Sequence, residues 1–382
     1  MFRSSFLFLG KCLFLFIVAS AAAVAQPHPL NYNARVLEPL QGYLSSYASG
    51  VSGNIVVGAS YNSTSYLIPT MWVDGVPQRL QFGAPQRWAL ATGIGGGRIA
   101  GDGYIVLGPE NINVGLLWAP GLGAGAAKML PIYGEGHSNA LGISSDGGTL
   151  IGYSSFREDE GMVHATLWNR FGRFDLGSLA NIQNAPNRHS IAYGVNEDAT
   201  IVVGQSQIDT SGALGRAFIW TEAEGMRELQ HYAKEIPNAY SRYLVSVAYG
   251  ATGSNLIVGQ SGNTDGNDMW AVAWLGPNHK VTPLSFLGVA FSANQDGWIV
   301  GYQSLPNIGS HAMIWRVGTS HNVESFDLND TNIDWVGQTP LPLSLINAKA
   351  IAADGSIAAN AGFYNRYHTY IGRGVWLVKT NQ

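Results

Sequence analysis

The sequence predicts an all-β protein, a β-propeller of seven blades built from seven copies of one unit. Two observations lead to this class: a repeat that recurs from Ser45 onward, and a composition typical of short strands and tight turns. Of 382 residues, 48 are glycine, 11 are tryptophan and only 12% are charged. So few charges beside 46% apolar residues exclude a disordered chain, and the glycine content argues against a helical bundle.

Each unit begins with a strand that carries the pattern Ala-x-Gly-Val/Ile or a degenerate form of it. The seven opening alanines are Ala48, Ala91, Ala140, Ala192, Ala248, Ala290 and Ala348. After a polar or glycine-rich turn comes a short apolar run that ends in glycine, as at Ile55 to Gly58, or in Asn360 in the seventh unit. Apolar runs separated by such turns are typical of β-hairpins.

A third strand in each unit ends in a tryptophan. This residue follows the opening alanine by 24 to 28 positions in every unit. The seven residues are Trp72, Trp118, Trp168, Trp220, Trp274, Trp315 and Trp376. The near-constant spacing indicates one structural position repeated, and the large apolar side chain predicts packing between adjacent blades.

A fourth short apolar stretch follows the tryptophan in units one to six, as at residues 282–284 and 323–328. Four strands per unit are typical of a propeller blade. The seventh unit stops soon after Trp376, whereas residues 34–40 resemble an orphan fourth strand. We therefore expect the N-terminal strand to complete the last blade, which closes the ring and removes an exposed sheet edge.

Residues 1–25 have the features of a signal peptide: positive charge from Arg3 and Lys11, an apolar run from position 12 to 24, and a small-residue cleavage site. An uncleaved membrane anchor is the alternative, but the run is short for a membrane span. We expect cleavage, a single propeller domain over residues 26–382 without a membrane span, and a secreted, periplasmic or cell-surface location. Cys12, the sole cysteine, would leave with this segment, so no disulfide or thiolate metal site is expected.

The segments Val163-His164-Ala165-Thr166-Leu167-Trp168 and Ser310-His311-Ala312-Met313-Ile314-Trp315 resemble the motif of the HAF-type extracellular repeat of exported bacterial proteins. Asp175-Leu176-Gly177 is similar to that family's strand after the tryptophan. The resemblance spans nearly all of residues 26–382, with units one, two and seven degenerate. It implies export and a propeller-like β fold, and it implies no reaction.

No motif of a known catalytic site is recognisable. The sequence lacks the His-Glu-x-x-His pattern, the Gly-x-Ser-x-Gly elbow and a phosphate-binding glycine loop with its lysine. Residues 93–103 are glycine-rich but precede no helical pattern, which favours a hairpin turn. Lysine and arginine number 21 against 25 acidic residues, so nothing favours nucleic-acid binding. An enzymatic function remains an alternative, because propellers assemble catalytic residues from separate blades.

Two histidines and two acidic loops are candidates for metal or acid/base roles. His164 and His311 precede a repeat tryptophan by four residues, and we expect them to hydrogen-bond backbone at a strand start. The loops 263–268 and 327–334 could hold calcium through the oxygens of Asp265, Asp268, Asp327 and Asp330. Neither loop fits the EF-hand spacing, and these residues are equally typical of solvated turns, so no cofactor is expected.

The loops that enter each opening strand form the candidate ligand site. In a propeller they lie on one face around the central channel, and those of units two to five carry polar, aromatic and cationic side chains. These candidates, the entry arc, are Arg87, Trp88, His137, Arg188, His189, Arg242 and Tyr243. Aromatic faces beside arginine and histidine donors suit a carbohydrate or a carboxylated ligand, although such residues also decorate ordinary loop faces.

Three functions remain in view. The first, which we favour, is an exported, non-enzymatic propeller that binds a glycan, a peptide or an envelope component on one face, with the entry arc as the binding surface. The second is a propeller hydrolase or lyase acting on extracellular glycans or peptides, with His137, His189 and nearby acids as catalytic groups. The third is a structural surface module without a discrete ligand.

Overall fold

The chain folds as a ring of β-strands in the computed structural model. The structure describes residues 30–62, 66–82, 86–107, 110–119, 127–131, 136–155, 162–179, 189–208, 215–232, 244–264, 268–318, 322–337, 343–364 and 370–380. None of these residues lies in a helix, so no described segment is a helix that could cross a membrane. The expected signal peptide, residues 1–25, lies outside them.

The first three blades follow one another along the chain, each with four antiparallel strands in sequence order. Blade one contains β2 (Ser45–Ser52), β3 (Ile55–Tyr61), β4 (Ile68–Val73) and β5 (Val76–Arg79). Blade two contains β6 (Gln86–Gly95), β7 (Arg98–Leu107), β8 (Glu110–Trp118) and β9 (Lys128–Met129). Blade three contains β10 (Ser138–Ile143), β11 (Leu150–Ser155), β12 (Val163–Asn169) and β13 (Gly172–Asp175).

The next three blades repeat this order. Blade four contains β14 (Ser190–Val195), β15 (Val202–Gln207), β16 (Gly215–Thr221) and β17 (Gly225–Glu228). Blade five contains β18 (Leu244–Ala251), β19 (Ile257–Asn263), β20 (Met269–Leu275) and β21 (Lys280–Phe286). Blade six contains β22 (Gly288–Ala293), β23 (Trp298–Leu305), β24 (Gly309–Val317) and β25 (Val323–Asp327).

Blade seven joins both ends of the chain. It contains β1 (Asn31–Leu37), β26 (Asn332–Trp335), β27 (Ser344–Ile351), β28 (Ile357–Tyr364) and β29 (Tyr370–Lys379), in the spatial order β26-β1-β29-β28-β27. The first strands of successive blades contact one another all the way round the ring, so they line the central channel. The predicted all-β, seven-bladed propeller is confirmed.

The predicted closure by the N-terminal strand is also confirmed. β1 pairs antiparallel with β29, with Arg35 opposite Trp376. On its other edge β1 pairs in parallel with β26, so it is hydrogen-bonded on both sides. The sequence did not indicate this fifth strand, because residues 327–334 have the composition of a solvated loop. The linker between blades six and seven therefore also secures the N-terminal strand.

Every first strand carries a β-bulge just after its opening alanine. The ladder shifts register in all seven blades, between Ala48 and Gly50, Ala91 and Gly93, Ala140 and Gly142, Ala192 and Gly194, Ala248 and Gly250, Ala290 and Ser292, and Ala348 and Ala350. A bulge leaves one residue outside the regular pairing and redirects its side chain. The residue between the two flanking positions is thus released from the pattern in each blade.

The glycine in each second strand is required by a close approach of the first strand. A Cβ at Gly58 would lie 1.9 Å from the carbonyl oxygen of Tyr47, and the equivalent distances in blades two to six are 1.9 to 2.3 Å. Only glycine fits without displacing the backbone. Blade seven has Asn360 instead, and there the first strand has a second register shift, between Leu345 and Asn347.

The repeat tryptophans lie at the contacts between blades. Trp72, Trp118, Trp274 and Trp315 are among the largest fully buried side chains, whereas Trp220 is only half-buried. Four of the indoles also donate Nε1–H to a carbonyl just past the fourth strand of the preceding blade, which is β1 in blade seven. These bonds are Trp72 to Glu38 (2.7 Å), Trp118 to Gln81 (2.6 Å), Trp168 to Pro131 (3.0 Å) and Trp274 to Gln230 (2.7 Å). The indole thus combines apolar burial with a directional link between neighbouring blades.

Candidate functional site

Part of the entry arc lies outside the described residues, namely Arg188, Arg242 and Tyr243. Of Arg87 only the backbone, within β6, is described. Trp88 is half-buried and stacks on Tyr104, with ring centroids 6.1 Å apart and an interplanar angle of 8°. One face of this indole is therefore engaged within blade two.

The two histidines of the entry arc bridge neighbouring blades. The Nδ1 atom of His137 accepts a hydrogen bond from the backbone N–H of Asn113 at 3.2 Å, and that of His189 accepts one from Val163 at 3.2 Å. Asn113 and Val163 lie in the third strand of the preceding blade. In both residues the Nδ1 atom is used to hold adjacent blades together, which leaves Nε2 as the ring nitrogen for any ligand.

His164 and His311 have carboxylate partners on the outer strand of their own blade. The Nδ1 atom of His164 lies 3.0 Å from both carboxylate oxygens of Asp175, and that of His311 lies 2.5 Å from Asp327. In blade four, Arg216 occupies the same position and its Nε lies 3.6 Å from Glu228. In three blades the residue four positions before the repeat tryptophan is therefore basic and faces an acidic side chain on the outer strand. The sequence did not indicate this pairing.

The calcium candidates are largely engaged within the protein. Asp327 accepts hydrogen bonds from Asn329 as well as from His311, and Asp268 accepts one from the Trp270 indole at 2.6 Å. Asp265 lies outside the described residues, and Asp330 is described in the turn after β25. Within the described part of the chain, no group of three or more His, Cys, Asp and Glu side chains could hold a metal ion.

A ring of seven side chains that the sequence did not single out lines the channel. These residues, which we name the bulge ring, stand between the opening alanine and the next residue of each motif: Ser49, Thr92, Leu141, Tyr193, Tyr249, Phe291 and Lys349. All seven border a cavity of about 730 Å³. The cavity opens where the first and second strands turn, a face that we name the hairpin face, opposite the entry arc.

The bulge ring is asymmetric. The Tyr193 and Tyr249 rings have centroids 5.3 Å apart, and those of Tyr249 and Phe291 are 5.5 Å apart, so blades four to six form one aromatic wall. Across the ring, the Thr92 hydroxyl donates to the carbonyl of Ala140 at 2.8 Å, and Ser49 donates to the carbonyl of Val57 at 3.0 Å. Both hydroxyl groups therefore already donate their hydrogen bonds to backbone carbonyls of the channel wall. Recognition chemistry is therefore concentrated on the aromatic side.

Lys349 ends the aromatic wall. Its Nζ lies 3.5 Å from the centroid of the Phe291 ring, a cation–π contact. Burial lowers the pKa of this amine from 10.5 to about 8. Burial also raises the pKa of Tyr193 and Tyr249, which keeps both phenols protonated as hydrogen-bond donors. The wall thus combines flat apolar faces, two phenol groups and one ammonium group.

A buried carboxyl group lies between blades two and three. Asp102, in β7, is 8% exposed, and its Oδ2 accepts a hydrogen bond from the Asn139 amide at 3.1 Å. Burial raises the pKa of Asp102 to about 7. The Oδ1 atoms of Asp102 and Asn139 have no hydrogen-bond partner among the described residues. Protonation of Asp102 would lower the cost of these unpaired oxygens, since a carboxylic acid can donate a hydrogen bond whereas a carboxylate can only accept one.

The signal that could have revealed the bulge ring lies in the repeat itself. The residue before each ring residue is alanine in all seven units, whereas the ring residue ranges from serine to tyrosine and lysine. A position that varies between two constrained neighbours is free of the packing that constrains them. Its aromatic character in three successive units indicates a shared surface.

Comparison with known proteins supports the fold and goes no further. No family model matches the chain, and no curated protein matches it. Among solved structures, a prolyl endopeptidase is similar at 10% identity, with 86% of this chain and 46% of that chain covered and a TM-score of 0.50. The propeller domain of the trilobed protease from Pyrococcus furiosus is similar at 13% identity (74% and 78% covered, TM-score 0.41). A protein of unknown function from Dyadobacter fermentans is similar at 10% identity (91% and 98% covered, TM-score 0.42). At these identities a likeness to a solved structure concerns the fold alone.

Proposed function

We propose that the protein is an exported, HAF-type propeller that binds a ligand at the axis of its ring and catalyses no reaction. The observation that carries the proposal is the bulge ring. Seven equivalent backbone irregularities direct side chains to one channel, and these side chains differ from blade to blade. Packing alone gives no reason for a tyrosine, tyrosine, phenylalanine and lysine series beside an open cavity. Export rests on the charge and apolar pattern of residues 1–25.

The chemistry of the wall selects a small carboxylated ring compound, such as an acidic sugar. Aromatic faces stack on the C–H face of a pyranose, and the phenols of Tyr193 and Tyr249 donate to its hydroxyls. The Lys349 ammonium pairs with a carboxylate. Glu197 and Asp296 lie on hairpins at the rim of the cavity, where their carboxylates can accept hydrogen bonds from sugar hydroxyls. The cavity volume falls within the ~300–1,000 Å³ that small-ligand sites have.

A glycan array with matched acidic and neutral sugars tests this function. Wild-type protein should bind the acidic sugars on the array. Tyr249→Ala or Lys349→Met should weaken that binding at least about tenfold, because each removes a principal contact. Phe174→Ala and Lys280→Met are the controls, since both residues are exposed on outer strands. Failure of the wild-type protein to retain any acidic sugar, or equal retention by the ring variants, would contradict the proposal.

The hydrolase or lyase alternative has one observation in its favour, the Asp102 carboxyl with a pKa near 7. A group of this pKa can act as a general acid or base at neutral pH. Product analysis of retained glycans after long incubation decides between the two functions. Cleavage that Asp102→Asn abolishes would establish the enzyme, whereas intact glycans in both proteins support a binding role.

A further inference from the structure

We infer that a second subsite for acidic glycans lies between blades two and three on the hairpin face, and that it continues the channel site. We name it the basic groove. It has a volume of about 670 Å³ and is bordered by Arg98, Lys128, Arg170, Phe171 and the turn at 146–149. This inference extends the proposed function to longer ligands, yet it rests on its own set of side chains.

The groove is cationic in a chain whose net charge is −4. Arg98, Lys128 and Arg170 are all exposed, and among the described residues the single carboxylate on the groove lining is that of Asp146. Asp146 is already engaged: its Oδ1 accepts hydrogen bonds from the Ser144 hydroxyl at 2.6 Å and the backbone N–H of Gly148 at 2.8 Å. Three cations face one internally bonded carboxylate, so the groove offers positive charge to a ligand.

Arginine contacts give the groove a defined shape. The Nη1 atom of Arg98 donates to the carbonyl of Gly147 at 3.3 Å, which ties blade two to the blade-three hairpin along the groove wall. The Arg170 guanidinium lies 4.6 Å from the centroid of the Phe171 ring. Phe171 is nevertheless 74% exposed. Beneath these residues, the buried Trp168 closes the groove toward the core.

This combination selects a carboxylated sugar chain. Carboxylates that recur along a polymer can pair with cations spread over the two blades, and the arginines can bind them in bidentate fashion. The exposed face of Phe171 offers a stacking surface for a pyranose ring, which an inorganic anion would not use. An acidic peptide could pair with the cations too, but it brings no rigid ring to stack on Phe171.

The groove and the channel meet at one turn. Ser145 borders the channel cavity, and the next residue, Asp146, borders the groove. A linear glycan with one sugar in the channel therefore has a direct path over this turn into the groove. Binding of both parts by one chain should raise affinity above that of the single sugar.

Calorimetry with galacturonate and its oligomers tests the inference. The wild-type protein should bind the tetramer at least about tenfold more tightly than the monomer, and this gain should shrink as salt rises. The triple variant Arg98→Gln/Lys128→Gln/Arg170→Gln should lose the gain and keep monomer binding. Lys280→Gln, an exposed charge on the hairpin side of blade five, should change nothing. The fully methyl-esterified tetramer is the neutral ligand control and should show no gain.

The outcomes separate the groove from the channel. If the triple variant keeps the tetramer gain, or if the esterified tetramer binds as tightly, the groove inference is wrong. If Lys349→Met leaves monomer binding unchanged while the triple variant loses the gain, the groove stands and the channel proposal fails. Circular dichroism verifies that each variant is folded. The single variant Lys128→Gln, on a two-residue edge strand, gives a test least exposed to misfolding and should weaken tetramer binding about threefold.

Discussion

The Asp102 carboxyl makes stability depend on pH. Its pKa is about 7 in the folded chain and about 3.9 when unfolded, so the folded state holds the proton more tightly. The contribution of Asp102 to the free energy of unfolding is therefore fully present below about pH 4. It declines as the pH rises toward 7 and is lost above pH 7. A pKa difference of this size corresponds to on the order of 4 kcal/mol in the free energy of unfolding. In urea denaturation, Asp102→Asn should flatten this decline between pH 4 and 8, whereas Asp296→Asn, on an exposed hairpin, should not. An unchanged slope in the Asp102 variant would refute the shifted pKa.

The side chain of Asn360 links blade seven to blade one by hydrogen bonds. Its side chain accepts a hydrogen bond from the backbone N–H of Ala48 at 2.8 Å and donates one to the Ala48 carbonyl at 2.9 Å. Asn360→Ala would leave two buried backbone groups unpaired, so we expect a loss of about 2–4 kcal/mol in the free energy of unfolding. Gln295→Ala, an exposed position, should cost under about 0.5 kcal/mol. Urea denaturation measures both losses, and equal losses in the two variants would argue against a stabilising link between blades seven and one.

At the scale of elements, β1 is the strand on which ring closure depends. Leu30, Tyr32, Ala34 and Leu37 are each 0 to 2% exposed, and the strand is paired on both edges. Leu37→Ala should cost about 2–5 kcal/mol, whereas Leu44→Ala, just before β2 and 54% exposed, should cost under about 0.5 kcal/mol. Deletion of residues 30–41 should leave the chain unfolded by circular dichroism. A folded deletion variant would show that closure by β1 is dispensable.

Repeated elements were predictable from the sequence, and single ones were not. A similar spacing from opening alanine to tryptophan, 24 to 28 residues, occurs in all seven units, which is why blade number, strand order and closure could be anticipated. β26 occurs once, in an Asn- and Asp-rich insert, and its partner β1 lies about three hundred residues away in the chain, so no local pattern reveals the pairing. The bulges depend on ladder register, so the sequence shows only a variable position after each opening alanine and not the irregularity itself. The entry arc therefore stays a prediction, and the bulge ring became apparent only from the ladder register.

At the scale of the whole molecule, the ring brings seven variants of one position to a single axis. Each blade alone contributes one ring side chain, and only closure places the aromatics of blades four to six beside Lys349 of blade seven. Ligand binding at the axis should therefore stabilise the closed ring. An acidic sugar retained on the array should raise the melting temperature of the wild-type protein and leave that of Tyr249→Ala unchanged. Equal shifts in both proteins would place the ligand elsewhere.

The most direct test of the axial site is the reactivity of the Lys349 amine. Because burial lowers its pKa from 10.5 to about 8, it should react with an acylating reagent at pH 8 well ahead of other lysines, as read by peptide mass spectrometry. Saturation with an acidic sugar retained on the array should slow this reaction at least about tenfold and leave Lys280 unaffected. Undiminished acylation of Lys349 in the presence of saturating ligand would contradict binding at the axis of the ring.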